Sequence, residues 1–264
     1  MYRVGWFSSG RGAGSRDLLT TMWQSIERGE VKSEIAFVFC NRERGFSEET
    51  DKFLNLVDFY QIPLICFSSV KFREGLDTRF LPEWRILYDR EVMERLKDFK
   101  VDLSVLAGYM LVVGHEMCRQ YTMINLHPAE PGGPKGTWRE VIWKLIENRA
   151  TRTGVMMHLV TSEMDEGPPV TYCSFGIRGE PFAGYWQMLE KKSLEEVRAV
   201  EGEEIKLFQL IRHQGLKREF LLIVTTVKAF SEGRVRVQNG KIVDSGGNAI
   251  AGYDLSEEID QLVK

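Results

Sequence analysis

Histidine and cysteine are scarce in this chain, with four of each among 264 residues. Cys40, Cys66, Cys118 and Cys173 are far apart and form no CxxC pair, so neither a disulfide framework nor a zinc knuckle is expected. Cys40 and Cys66 lie in or beside apolar runs and read as reduced, mostly buried thiols. No histidine stands with a cysteine or carboxylate at metal-ligand spacing on one element, so no metal is expected. Long apolar runs are missing too. None approaches the ~20 residues of a membrane span, and the opening "MYRVGWFSSG" lacks a signal peptide's apolar region. The expectation is a cytoplasmic protein with no membrane partner. Charge of one sign is also lacking: the formal net charge is -3, which gives no reason to expect a nucleic-acid partner. There is no internal repeat, and no linker clear enough to separate two large domains.

What is present is ordinary globular composition, 43% hydrophobic and 28% charged, in a regular alternation. "YRVGWF" (2–7), "EIAFVFCN" (34–41), "LICFS" (64–68), "VDLSVLAGYM" (101–110) and 123–127 read as strands. Between them, 15–30, 49–63, 82–99 and about 114–121 carry helical spacing. Strand and helix in turn predict an α/β, Rossmann-like, mostly parallel twisted sheet with helices on both faces. The stretch 137–150 predicts a helix, and 153–177 predicts two strands joined by a turn at 165–169. Helical stretches over roughly 184–214 and 218–233 follow, then a hairpin with Asn239-Gly240 as its turn. The domain expected is 1–240, with 241–264 as a C-terminal tail.

Two segments stand out from this frame. "MINLHPAEPGGPKGTW" (123–138) carries Asn125 and His127 to the end of a strand and then breaks regular structure with prolines and glycines. "SSGRGAGSR" (8–16) follows a strand and opens a helix, where free backbone N–H groups and the helix dipole suit a phosphate. It fits neither the dinucleotide fingerprint, since Ser15 takes the third glycine position, nor a P-loop. Gly12, Gly14, Ser15 and Arg16, with Arg11 nearby, are the expected phosphate contacts. Both segments fall at the carboxyl ends of strands, where open parallel sheets bind ligands. His158, inside the apolar "GVMMHLV", reads as a hydrogen-bonded core histidine or a support for the site. His115 and His213 read as surface residues of helices.

Taken together, "LAGYM" (106–110), "NLHP" (125–128) and "HLVTSEMDEGPPV" (158–170) resemble the folate-dependent formyltransferases. The resemblance covers roughly residues 2–240. It implies the formyltransferase fold, 10-formyltetrahydrofolate as co-substrate, no metal, and Asn125, His127 and Asp165 as the catalytic set. By the same resemblance, Met110, Leu111, Val112 and Val113 line the folate pocket. The acceptor implied is the amine of a phosphorylated small molecule, glycinamide ribonucleotide first. The partners are therefore small molecules, and a homodimer is left open. Departures from the family pattern fall on the acceptor side. "AEPGGPKG" replaces the usual continuation after His-Pro, two residues are added in the phosphate loop, and Arg16 stands where asparagine is usual.

The residue types suit that chemistry. Attack of an amine on a formyl carbon builds a negatively charged oxygen, which N–H donors from Asn125 and a protonated His127 stabilise. Asp165 would orient His127 and help remove the amine's proton. On its own, however, an aspartate in "MDEGPP" is also a turn residue. Other readings use the same parts. A deformylase would place water where the amine sits, and a binding protein on this fold would need none of the three. A formyltransferase for initiator tRNA would need a basic C-terminal domain that this composition does not offer.

Overall fold

The structure, a computed structural model, describes residues 1–72, 82–163, 166–190 and 193–263. Eight strands form one sheet: β1 (Tyr2–Ser8), β2 (Ser33–Cys40), β3 (Leu64–Cys66), β4 (Leu103–Leu106), β5 (Met123–His127), β6 (Arg152–Leu159), β7 (Pro169–Gly176) and β10 (Tyr253–Asp254). Their order across the sheet is β10-β7-β6-β5-β4-β1-β2-β3. All neighbours run parallel except that β6 is antiparallel to both β5 and β7. The helices are α1 (Ala13–Glu27), α2 (Glu48–Phe59), α3 (Pro82–Leu96), α4 (His115–Gln120), α5 (Trp138–Glu147), α6 (Ala183–Leu189), α7 (Leu194–Val200), α8 (Lys206–Ser231) and α9 (Ser256–Leu262). The mostly parallel α/β sheet expected from the alternation is present.

Period-two alternation explains how the sheet is buried on both faces. On β1, Val4 and Trp6 join the core under α1, α2 and α8, while Phe7 joins Phe37, Phe39 and the apolar side of α3. A third cluster gathers Val141, Trp143 and Ile146 of α5 with Trp186 and Phe208. Helix starts follow local chemistry. Ser47 caps α2 by accepting the Thr50 N–H, and Glu48, Glu49 and Asp51 place negative charge at the dipole's positive end. Thr137 and Glu140 form a capping box at α5, which ends the proline-glycine loop abruptly. The first helix has no side-chain cap: Gly12 precedes it in an extended conformation.

Two expectations need correction. The helical stretches drawn over 184–214 and 218–233 divide elsewhere. Breaks fall after Leu189 and at the 3-10 turn Gly202–Glu204, and α8 then runs unbroken for 26 residues through Gly215. A glycine inside a helix costs only about 1 kcal/mol, and the burial of Leu207, Phe208 and Ile211 before it and Leu222, Ile223 and Val227 after it holds the helix straight through. The segment from 241 onward, expected as a tail, is folded in. Strand β9 (Lys241–Asp244) pairs with β8 (Val235–Gln238) across the Asn239-Gly240 turn, where both residues have positive φ. Strand β10 then extends the main sheet along β7, and Leu255 and Ile259 are buried in the main core. Among the described residues, no helix is long and apolar enough to cross a membrane.

Candidate functional site

Asn125 and His127 stand two residues apart on β5, so both side chains leave the same face of the sheet. Because β6 runs antiparallel beside it, Asn125 lies directly opposite His158 and His127 opposite Met156. Directly opposed side chains in such a pair are within contact. Here the contact is a hydrogen bond with a defined direction. His158 Nδ1 donates to the Leu159 carbonyl oxygen at 3.2 Å, which leaves Nε2 as an acceptor. The Asn125 amide Nδ2 donates to that Nε2 at 3.1 Å. One amide N–H of Asn125 is thereby spent on orientation, and the other has no partner among the described residues. His127 and His158 are almost fully buried, with their rings edge to face at 6.2 Å.

The loop after His127 folds back over it. His127 Nε2 donates to the Pro134 carbonyl oxygen at 3.2 Å. The irregular "AEPGGPKG" segment therefore positions the histidine directly. Lys135 bridges onward to Glu166 at 2.8 Å, tying this loop to the turn between β6 and β7. That turn is pinned at its far side as well. A Cβ on Gly167 would lie 1.6 Å from the Leu159 carbonyl oxygen, so only glycine lets the chain pass there. The Leu159 N–H donates to the Pro168 carbonyl at 2.9 Å and locks the same crossing. Asp165 itself lies outside the described residues.

A cleft of about 680 Å³, a size typical of ligand sites, opens elsewhere along the same edge of the sheet, and Asn125, His127 and His158 are not among its lining residues. It lies at the carboxyl ends of β1, β2 and β4 and reaches Ser162 at the start of the β6–β7 turn. Met110, Leu111, Val112 and Val113 form one wall. Met110 and Val112 are exposed into it, at 56% and 40%, while Val113 is buried. The wall is held at both ends. Met110 N–H donates to Ser9 Oγ at 2.9 Å, and Gly114 N–H donates to Asp89 Oδ2 at 2.6 Å. Burial pushes the Asp89 carboxyl up to about 6, against the nearby Arg85 charge, which acts to lower it. Leu106 of β4, four residues before Met110, pairs with Asn125 of β5.

The residues of the glycine segment are placed differently from one another. Gly12 and Gly14 sit at the start of α1 with open space around them, while the Ser15 N–H already donates to the Gly12 carbonyl at 3.2 Å. Arg16 turns away from the cleft: its Nη1 pairs with Glu49 Oε2 at 2.6 Å and ties α1 to α2. Arg11, by contrast, lines the cleft, together with Asn41, Arg42, Arg85 and His115. Those last four residues, with Asp89, were missed as site residues in the sequence. The signal was available in "FCNRERG", where a buried strand ends in polar residues as β5 does.

An open, mostly parallel α/β sheet with an oriented amide and imidazole at one strand end, and a cleft at the neighbouring strand ends, is the arrangement of an α/β enzyme. The formyl transferase family model matches residues 7–178. The chain is 24% identical over 257 residues to phosphoribosylglycinamide formyltransferase of Haemophilus influenzae, covering 94% of this chain and 99% of that protein. In fold it resembles phosphoribosylglycinamide formyltransferase of Coxiella burnetii, with a TM-score of 0.69, 19% identity and coverage of 96% and 98%. It also resembles a formyltetrahydrofolate deformylase of Pseudomonas syringae, with a TM-score of 0.62, 20% identity, and coverage of 92% of this chain and 65% of that one. The chain belongs to the formyl transferase family, which uses formyl-tetrahydrofolate as co-substrate.

Proposed function

We propose that this chain transfers the formyl group of 10-formyltetrahydrofolate to the amine of a phosphorylated small molecule, with glycinamide ribonucleotide as the acceptor. The observation that carries the reading is the oriented Asn125 amide beside His127 at the end of β5. The amine attacks the formyl carbon, and the carbonyl oxygen takes up the electron pair. The remaining Asn125 N–H and a protonated His127 donate to that oxygen, in a pocket where desolvation strengthens both bonds. Asp165, two residues before Gly167, is assigned to hold the His127 charge and to accept, directly or through water, the proton that the attacking amine loses. Collapse of the intermediate then breaks the bond to N10 of the folate, which takes up the proton that left the amine, passed on by Asp165 or the water. Met110–Val113 supply the apolar wall for the folate ring system.

A deformylase differs only in what attacks, and the resemblance to the Pseudomonas syringae enzyme keeps that reading in play. Release of tetrahydrofolate from 10-formyltetrahydrofolate by purified protein separates the two. Release that depends on glycinamide ribonucleotide supports transfer. Equal release without any amine supports hydrolysis, and no release in either case removes both.

A further inference from the structure

Arg11 and Arg42 both line the cleft, and each feels the other's charge. Arg11 is the exposed residue after β1, and Arg42 follows the end of β2, the neighbouring strand. Among the described residues, no carboxylate forms an ion pair with either. The other clefts in charge around them are all filled: Arg16 is held by Glu49, Arg44 by Asp58 and Lys71 by Glu43. Arg42 rests on the Phe46 ring at 4.5 Å, which fixes its head without neutralising it. Burial and the facing Arg11 charge, in that order, hold Arg42 below its ordinary pKa. Beside them Asn41 is only 4% exposed; its Oδ1 accepts no hydrogen bond among the described residues, while its Nδ2 donates to Ser69 Oγ at 3.1 Å. Leaving a buried acceptor unmatched is unfavourable, and so is holding two cations together unpaired.

We propose that Arg11, Arg42 and Asn41 form the clamp for the acceptor's phosphate monoester, in place of the Arg16 contact expected from the sequence. The clamp rests on the reading of the acceptor given above, and it adds a strand-β2 contribution to the glycine loop. A phosphate dianion between the guanidinium groups removes their mutual repulsion and takes charge-assisted bonds from both. A hydroxyl of the acceptor, or of the monoprotonated phosphate, supplies the donor that Asn41 Oδ1 lacks. The position suits the division of the cleft. Two strand spacings separate β5 from β1 and a third reaches β2, about 14 Å in all, so the clamp grips the end of the acceptor remote from its reacting amine. The apolar wall at 110–113 stays available to the folate.

Two measurements test the clamp, one of which does not depend on the acceptor's identity. The first is the rise in Tm produced by millimolar inorganic phosphate. It is expected in wild type and in Arg16→Gln, and expected to be lost in the Arg11→Gln/Arg42→Gln double variant. The second is the KM for glycinamide ribonucleotide, expected to rise about tenfold or more in Arg11→Gln and in Arg42→Gln. The KM for 10-formyltetrahydrofolate should stay within about twofold, and Arg42→Lys should recover part of the loss. Tm without phosphate, measured in parallel, identifies a variant that has merely lost its fold. The clamp is overturned if phosphate stabilises the double variant as much as wild type, or if Arg16→Gln alone removes the effect. Should wild type fail to use glycinamide ribonucleotide, the acceptor reading falls, and the phosphate-induced Tm shift alone decides the clamp.

Discussion

The two ends of the ligand region are built on opposite principles. At β5 and β6, every polar group with a described role is tied down before any ligand arrives: Asn125 to His158, His158 to the Leu159 carbonyl, and His127 to the Pro134 carbonyl. At the ends of β1 and β2, Arg11 and Arg42 have no ion partner, and Asn41 Oδ1 no donor, among the described residues. The first arrangement is suited to stabilising charge that develops during reaction, because its dipoles need no reorganisation at that moment. The second is suited to a charge already present on a ligand, whose arrival relieves an existing repulsion. Chemistry at one end and grip at the other should therefore separate in kinetics. Changes at β5 and β6 should act on kcat, and changes at the arginines should act on KM for the acceptor.

The largest effect expected is at His127. His127→Ala should lower kcat by ~10²–10³, the usual consequence of losing a donor to a developing oxyanion. Turnover within a few-fold of wild type would take His127 out of the reaction. His158 offers a sharper test because it acts through Asn125. His158→Phe keeps an aromatic ring but removes the acceptor that orients the amide, and should lower kcat by up to ~10² with little change in either KM. His158→Gln retains an acceptor and should recover part of that loss. Equal losses in both variants would mean that His158 only fills space.

Gly167→Ala comes next. The added Cβ would meet the Leu159 carbonyl oxygen, so the turn that carries Asp165 must shift away from β6. The expected result is a lower Tm together with a kcat loss larger than the stability change explains at the assay temperature. A variant with wild-type Tm and activity would show that the crossing relaxes freely.

The smallest effect concerns the cleft wall and pH. Asp89 is raised in the folded state from the ordinary 3.8 to about 6, so its protonated form supports the fold fully below about pH 4. That support is lost as pH rises through about 6, and the gap corresponds to about 3 kcal/mol. Asp89→Asn keeps an acceptor for the Gly114 N–H but carries no charge. It should be more stable than wild type near neutral pH by up to that amount, with the difference fading below about pH 4. Denaturant unfolding at the two pH values checks this, and a pH-independent difference would contradict it.

The elements with strong periodicity were legible in the sequence because burial and backbone chemistry agreed there. Strands β1, β2 and β5 are apolar runs that stop at serine, asparagine or histidine, at the carboxyl ends where open parallel sheets bind ligands. What escaped depended on pairings that no local pattern carries. Strand β10 is two residues long and exists only because β7 offers an edge. Gly215 falls in the gap between the helical stretches drawn over 184–214 and 218–233, and it is spanned by packing on both sides. Arg16 and Arg11 look alike in "SGRGAGSR", and only the presence of Glu49 on α2 decides which one faces the cleft. His158 was ambiguous for the same reason, since its role is set by the antiparallel register that puts it across from Asn125.

The central claim is that the Asn125 amide serves the reaction and not the grip on either substrate. Its most direct test is a steady-state titration of glycinamide ribonucleotide at saturating 10-formyltetrahydrofolate, comparing wild type with Asn125→Ala. The account predicts that the maximal rate falls by ~10² or more while the half-saturating acceptor concentration stays within about twofold. A folded Asn125→Ala protein with an unchanged maximal rate, or one whose whole loss lies in the half-saturating concentration, would contradict it.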